Sequence, residues 1–418
     1  MPRLETFVLK GNLLYTREPS RLECFPDHYL VCENGCVAGI FPCLPDRYAH
    51  VAVEDCGSRL IVPGLTDLHL HAPQYAFRGL GMDLELLDWL DSHTFPEESR
   101  YADPVYAERA YRLFVRDLQM STTTRACIFA TIHADATLLL MQLLEETGLV
   151  AMVGKVNMDM NSPESYCETT DGSLAETERW IRESLCRYKN VSPILTPRFA
   201  PVCSGRLMAS LGRLQQKYAL PLQSHLSESP GEVAWVKSLF PDCGCYGDVY
   251  DRFGLFGSNG PVVMAHCVYS GREERELIRK RGVFIAHCPQ SNVNLSSGIA
   301  PVKSCLQGGL KVGLGSDIAG GFSLSVSAVF PMPYRCPRCT GACRIPISNR
   351  YPFPRRFIWQ PKATERFSGR SAVLKRTTSS MHWFWMMRRG RRPRNWNLKA
   401  GWSGWFIWEM TAVSGKST

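Results

Sequence analysis

The 418-residue chain has no apolar run of membrane-spanning length and no charged-then-apolar leader at its start. This predicts a cytosolic protein with no membrane contact. Acidic residues are scarce where basic ones concentrate: residues 331–418 hold 18 of the 48 Lys+Arg but 2 of the 39 Asp+Glu, a net charge of +16. Residues 1–330 carry 30 basic and 37 acidic side chains, a net charge of −7, so the overall +9 averages two unlike parts. The same C-terminal segment has two leucines against seven of the ten tryptophans and eight prolines, with no helix or strand period. Too few aliphatic side chains are present there to build a core, which predicts a divergent, disordered basic tail over 329–418. Cysteine is plentiful, but seventeen is odd and the residues are scattered. Reduced thiols fit this better than a disulfide framework.

Histidine is scarce at ten residues, so its placement is informative. His69-Leu70-His71 closes the apolar stretch 60–68. In a strand, residues i and i+2 face the same way, so both imidazoles can converge on one ion. Ser224-His225-Leu226-Ser227-Glu228, Met264-Ala265-His266-Cys267 and Gly315-Ser316-Asp317 likewise follow short apolar runs. Eight such runs occur, at roughly 60–68, 122–132, 149–157, 192–199, 220–225, 262–266, 283–287 and 311–315. Amphipathic stretches alternate with them. Asp103-Pro104 opens one helix, whose Ala107, Tyr111, Phe114 and Leu118 repeat as one buried face requires. Eight strand–helix units predict an α/β fold, a TIM-like (β/α)8 barrel over 58–328 with its active site at the C-terminal strand ends. Residues 1–57, with strand candidates at 6–9, 12–16, 28–32 and 35–40, begin a small β domain.

The stretches PGLTDLHLHAPQYAFRG, TPRFAPVCS, QSHLSESPGEV, MAHCVY, IAHCPQSNVNLSSG and GLGSDIAGG, taken in order, resemble the amidohydrolase superfamily and, within it, the guanine deaminases. The likeness covers about residues 7–328, and it implies a function in purine catabolism, the hydrolysis of guanine to xanthine and ammonia. It also implies one Zn²⁺ per subunit held by His69, His71, His225, His266 and Asp317. Zinc in such a site lowers the pKa of water to about 7. Glu228, three residues past His225, would move the proton, with Asp317 and His266 beside it. The resemblance further implies a homodimer, and a small β-sandwich that strands from the C-terminus complete. The tail offers no such strands, so the sandwich is expected to be incomplete.

In guanine deaminases the positions of Gln74, Arg198 and Phe199 bind the purine, with His71, His225, Glu228 and Asp317 around it. Guanine presents O6 and N7 as adjacent acceptors, which match an arginine fork, whereas adenine places an amino donor where O6 would be. Gln74 carries a donor and an acceptor, and Phe199 can stack on the ring or belong to the barrel core. Cys288, Ser291 and Asn292 fall in a family motif and read as strand-end structure.

Other zinc chemistry finds little support. The HxE and PCxxC signature of cytidine-type deaminases is absent. Cys336, Cys339 and Cys343 have no fourth ligand nearby, His382 being remote, and read as incidental. A second hypothesis is a catalytically impaired variant whose tail binds nucleic acid or protein. Arg388, Arg389, Arg391, Arg392 and Arg394 would meet phosphates, and Trp383, Trp385 and Trp396 would stack; a solvated basic tail is the plainer reading of that patch. A related amino-heterocycle deaminase is the alternative within the enzyme class.

Overall fold

The computed structural model describes residues 6–18, 21–33, 36–329, 385–387 and 405–408. The described residues form two compact units. One comprises those up to Leu65 with the two short C-terminal strands, and the other runs from Thr66 to Val329.

In the first unit, β1 (Phe7–Glu18) pairs antiparallel with β2 (Arg21–Glu33) and parallel with β4 (Val53–Pro63), while β3 (Cys36–Phe41) pairs with β2. The first two strand candidates are one strand, with a register shift between Gly11 and Leu13. Alternation along it feeds two cores: Leu9, Leu13 and Tyr15 join Leu30, Cys32, Cys56 and Ile61, whereas Val8 joins Val31 and Tyr48. Period-two patterning therefore buries apolar groups on both faces.

The expectation that the C-terminal segment adds no strand does not hold for β15 (Trp385–Met387) and β16 (Trp405–Trp408), which extend this sheet in the order β15-β16-β4-β1-β2-β3. Trp405 to Trp408 run antiparallel to Pro63 to Leu60. A four-residue aromatic and β-branched run has strand propensity but is too short to show a period. The boundary also shifts: Leu60–Pro63 belongs to β4, and the first barrel strand starts after the Pro63-Gly64 break, at Leu65.

The barrel strands of the second unit are β5 (Leu65–His71), β6 (Thr123–Phe129), β7 (Val150–Gly154) continued by β8 (Val156–Asn157), and β9 (Val191–Pro193) continued by β10 (Thr196–Pro197). They are followed by β11 (Leu222–Leu226), β12 (Val262–His266), β13 (Phe284–His287) and β14 (Lys311–Leu314). β5 is hydrogen-bonded to β6, and the ladders β6–β7, β7–β9, β8–β10, β11–β12, β12–β13 and β13–β14 are parallel. Leu195 bridges to Leu222, joining the two halves. On the other side Asp317 N donates to His69 O at 2.9 Å and His71 N to Ile318 O at 3.0 Å. These bonds close eight strand positions into a ring, the predicted barrel.

Helices Pro104–Gln119, Ala134–Thr147, Thr170–Ser184, Gly205–Tyr218 and Arg272–Arg281 fall between the strands. Asp103 accepts from Val105 N at 2.9 Å, the predicted cap, and Ala107, Tyr111, Phe114 and Leu118 are buried as the pattern requires. Among the described residues no helix is long and apolar enough to cross a membrane. Fourteen described cysteines are free thiols. Cys336, Cys339, Cys343, His382, the arginines 388–394, Trp383 and Trp396 lie outside the described residues, as does the side chain of Trp385.

Candidate active site

At the C-terminal end of the barrel, β5 delivers His69 and His71, β11 delivers His225, β12 delivers His266, and the turn after β14 delivers Asp317. The loop after β14 has to approach closely: a Cβ on Gly315 would lie 2.8 Å from Cys288 Sγ and 2.9 Å from His69 Cβ. Ser227, His266 and Asp317 take positive φ of 48°, 71° and 49°, the backbone strain that accumulates where strand ends aim functional side chains.

The ring nitrogens converge. His71 Nε2 lies 3.2 Å from His225 Nε2, and Asp317 Oδ1 lies 3.2 Å from His69 Nε2 and 3.6 Å from His71 Nε2. Asp317 Oδ2 is 3.7 Å from His266 Nε2, which is also 3.3 Å from Glu228 Oε2. His225 Nδ1 donates to Arg198 O at 2.6 Å, and His266 Nδ1 donates to Asn292 Oδ1 at 2.9 Å. Each bond commits the outer nitrogen as donor and leaves an Nε2 lone pair facing the cluster. Asn292 thus orients a site histidine, a role beyond strand-end structure.

Electrostatics favour cation binding. Burial holds His69 low, and burial together with the neighbouring rings holds His71 and His225 well below the usual histidine range, so these imidazoles are neutral. Against its own burial, Asp317 is kept well below the usual carboxylate range by His69, His266 and His71. His69 Nε2 and His266 Nε2 are buried without a hydrogen-bond partner. Neutral imidazoles with inward lone pairs and an ionised carboxylate are the donor set a divalent metal takes. The ligand atoms of His69, His71 and His225 lie within 4.8 Å of one another, as do those of His69, His266, Cys288 and Asp317. The residues present fit a metal ion.

Glu228 behaves oppositely to Asp317: burial, Asp317 and Glu232 push it well above the usual carboxylate range. Two carboxylates driven apart by their surroundings suit different tasks, proton carrier and charge stabiliser. The Glu228 backbone is held by Glu232, whose Oε2 accepts from Glu228 N at 2.7 Å and closes a capping box with Ser229 on the helix Pro230–Leu239. The Ser-x-x-Glu signature was available in the sequence as a sign of this support.

These groups line one cleft. Of the nine predicted side chains, all but His69 face it, joined by Leu86, Trp89, Leu90, Glu232 and Leu295. Phe199 both lines the cleft and packs edge-on to Trp235 at 6.1 Å, so it is core and wall together. Arg198 is 2% exposed, and its Nη1 and Nη2 donate to Glu98 Oε2 and Oε1 at 2.5 and 3.1 Å. Gln74 Nε2 donates to Glu98 Oε1 at 2.9 Å, and Gln74 Oε1 accepts from Ala319 N at 3.3 Å. Glu98, 0% exposed, was not foreseen: it stands in Phe95-Pro96-Glu97-Glu98-Ser99, beside the partly exposed Glu97, with no periodic signal to separate the two.

A metal-ready cluster of histidines and one aspartate at the C-terminal strand ends of a (β/α)8 barrel defines a metal-dependent hydrolase. The chain belongs to the amidohydrolase family, whose model matches residues 60–337. It is 47% identical over 333 residues to the guanine deaminase of Rattus norvegicus, covering 76% of this chain and 72% of that one. It is 43% identical over 286 residues to the guanine deaminase of Dictyostelium discoideum, covering 68% of this chain and 63% of that one. The crystal structure of the guanine deaminase of C. acetobutylicum, with bound guanine in its active site, superposes with a TM-score of 0.82 at 41% identity over 87% of each chain.

Proposed function

We propose that this chain is a zinc-dependent guanine deaminase, which converts guanine and water to xanthine and ammonia. The observation that carries the reading is the joining of two devices in one cleft: the inward-facing imidazoles with Asp317, and the Arg198–Gln74 pair beside them. The relatives named guanine deaminase support the choice of substrate.

Zinc bound by His69, His71, His225, His266 and Asp317 supplies Lewis acidity that makes water a nucleophile near neutral pH. The chain's own groups do the rest. Arg198 and Gln74 hold the purine edge with its amino-bearing carbon towards the cluster, and Phe199 limits the ring's tilt. Glu228 Oε2 takes a proton as water oxygen bonds to that carbon, then returns it so that the carbon–nitrogen bond breaks and ammonia leaves. Asp317, held well below the usual carboxylate range and so ionised, stabilises positive charge throughout.

Arg198 meets guanine differently from the free fork the sequence suggests. One hydrogen on each of Nη1 and Nη2 is spent on Glu98, which leaves three of the five N–H donors for O6 and N7. Homodimeric assembly and a cytosolic location are part of the same proposal. Metal analysis of the purified chain, with the absorbance change from guanine to xanthine, tests it; adenine or cytosine turned over faster than guanine would move it to a related deaminase.

A further inference from the structure

We propose that Glu98 is a specificity-determining positioning residue, which fixes the Arg198 fork and the Gln74 amide and cancels the arginine's charge so that the cleft selects a neutral purine. The inference rests on the guanine reading.

A carboxylate accepts only, and Glu98 is saturated with donors. Oε1 takes Gln74 Nε2 and Arg198 Nη2; Oε2 takes Arg198 Nη1 and the Tyr166 hydroxyl, the last at 2.8 Å. Because Gln74 must donate to Glu98 and accept from Ala319, its amide cannot flip, and one N–H remains for a ligand. The short helix Phe95–Ser99, which carries Glu98, also lays Phe95 against the guanidinium, whose Cζ stands 5.0 Å from the ring centre. Two opposite buried charges in contact leave directional N–H donors facing the cleft with no net charge from the pair. An anionic heterocycle therefore gains little here over a neutral one of the same shape. Separated by 24 residues from Gln74 and by 100 from Arg198, Glu98 reaches both only through the fold.

The test compares the full-length zinc-loaded chain with E98Q and E98D at one neutral pH. Guanine kinetics and competitive inhibition by neutral hypoxanthine and by the urate anion are measured. E98Q keeps size but opposes an amide N–H₂ to the donors and leaves Arg198 charged. The expected result is a KM for guanine raised about 10- to 100-fold with a smaller change in kcat, and inhibition shifted towards urate relative to hypoxanthine by about tenfold. E98D restores the charge but not the reach, so it should keep the parent's urate-to-hypoxanthine ratio while KM stays raised. An E98Q or E98D enzyme with the parent's KM, or an E98Q ratio unmoved while kcat and KM change together, overturns the role. If E98Q does not fold, the KM of E98D decides. A parent chain that neither deaminates guanine nor binds hypoxanthine defeats the guanine reading itself before any Glu98 variant is measured.

Discussion

His71 Nε2 lies 3.2 Å from His225 Nε2, with the two rings stacked at 5.2 Å and 17°. His225 has already committed its Nδ1–H to Arg198 O, so its Nε2 offers a lone pair, and burial keeps both rings neutral. A cation shared by the two Nε2 atoms satisfies both rings. His71→Ala should therefore strip most bound zinc and most activity, because losing one ligand leaves the ion under-coordinated. Metal content and turnover measured together check this; full zinc and full turnover in the variant would place the metal elsewhere.

Glu228 is buried, and burial with Asp317 and Glu232 raises its affinity for a proton. Glu228→Gln preserves size and hydrogen-bonding reach but cannot carry that proton. Zinc content should stay near the parent's while kcat falls about 10²- to 10⁴-fold. A loss of only a few-fold would reduce Glu228 to a wall of the cleft.

Arg198→Ala has two consequences of different kind. Loss of donors to O6 and N7 should lower kcat/KM for guanine about 10- to 150-fold and weaken discrimination against adenine. It also abandons the Glu98 carboxylate in a dry site, at about 3–5 kcal/mol of stability, which chemical denaturation can read. Unchanged discrimination in a destabilised variant would leave Arg198 a purely structural partner of Glu98.

The sequence made legible what repeats or sits close along the chain. His69 and His71 are two residues apart on one strand, and Ala107 to Leu118 follow one helix face, so period and spacing expose them. Eight apolar runs mark eight strand positions for the same reason. Glu98 was opaque because its meaning lies in partners 24, 68 and 100 residues away, and its neighbours in sequence look solvated. The strand Trp405–Trp408 was missed because four residues in a basic segment carry propensity without pattern. Asn292 and Glu232 lie between these cases: each was in view as part of a motif, but its role depends on which group it faces.

Asp67 carries the last prediction, since it ties the first barrel strand to the last. Its Oδ1 accepts from His69 N at 3.2 Å and Ser316 N at 2.9 Å, and its Oδ2 accepts from the Ser316 hydroxyl, across 249 residues of chain. Asp67→Ala would leave three buried donors unpaired, each at about 1–3 kcal/mol, so a stability loss of about 3 kcal/mol or more is expected. Burial outweighs these bonds in setting its acidity and pushes the carboxyl up to about 7. A folded-state value raised above the unfolded one means that Asp67 contributes its stability fully below about pH 4 and loses it as pH rises through about 7. Asp67→Asn, which does not titrate, lacks that dependence. Urea unfolding of parent and variant at pH 5 and pH 8 should show the difference between them move in favour of Asp67→Asn at the higher pH. A difference that is constant, or that moves the other way, would mean that the three donors keep Asp67 ionised in the folded protein despite its burial.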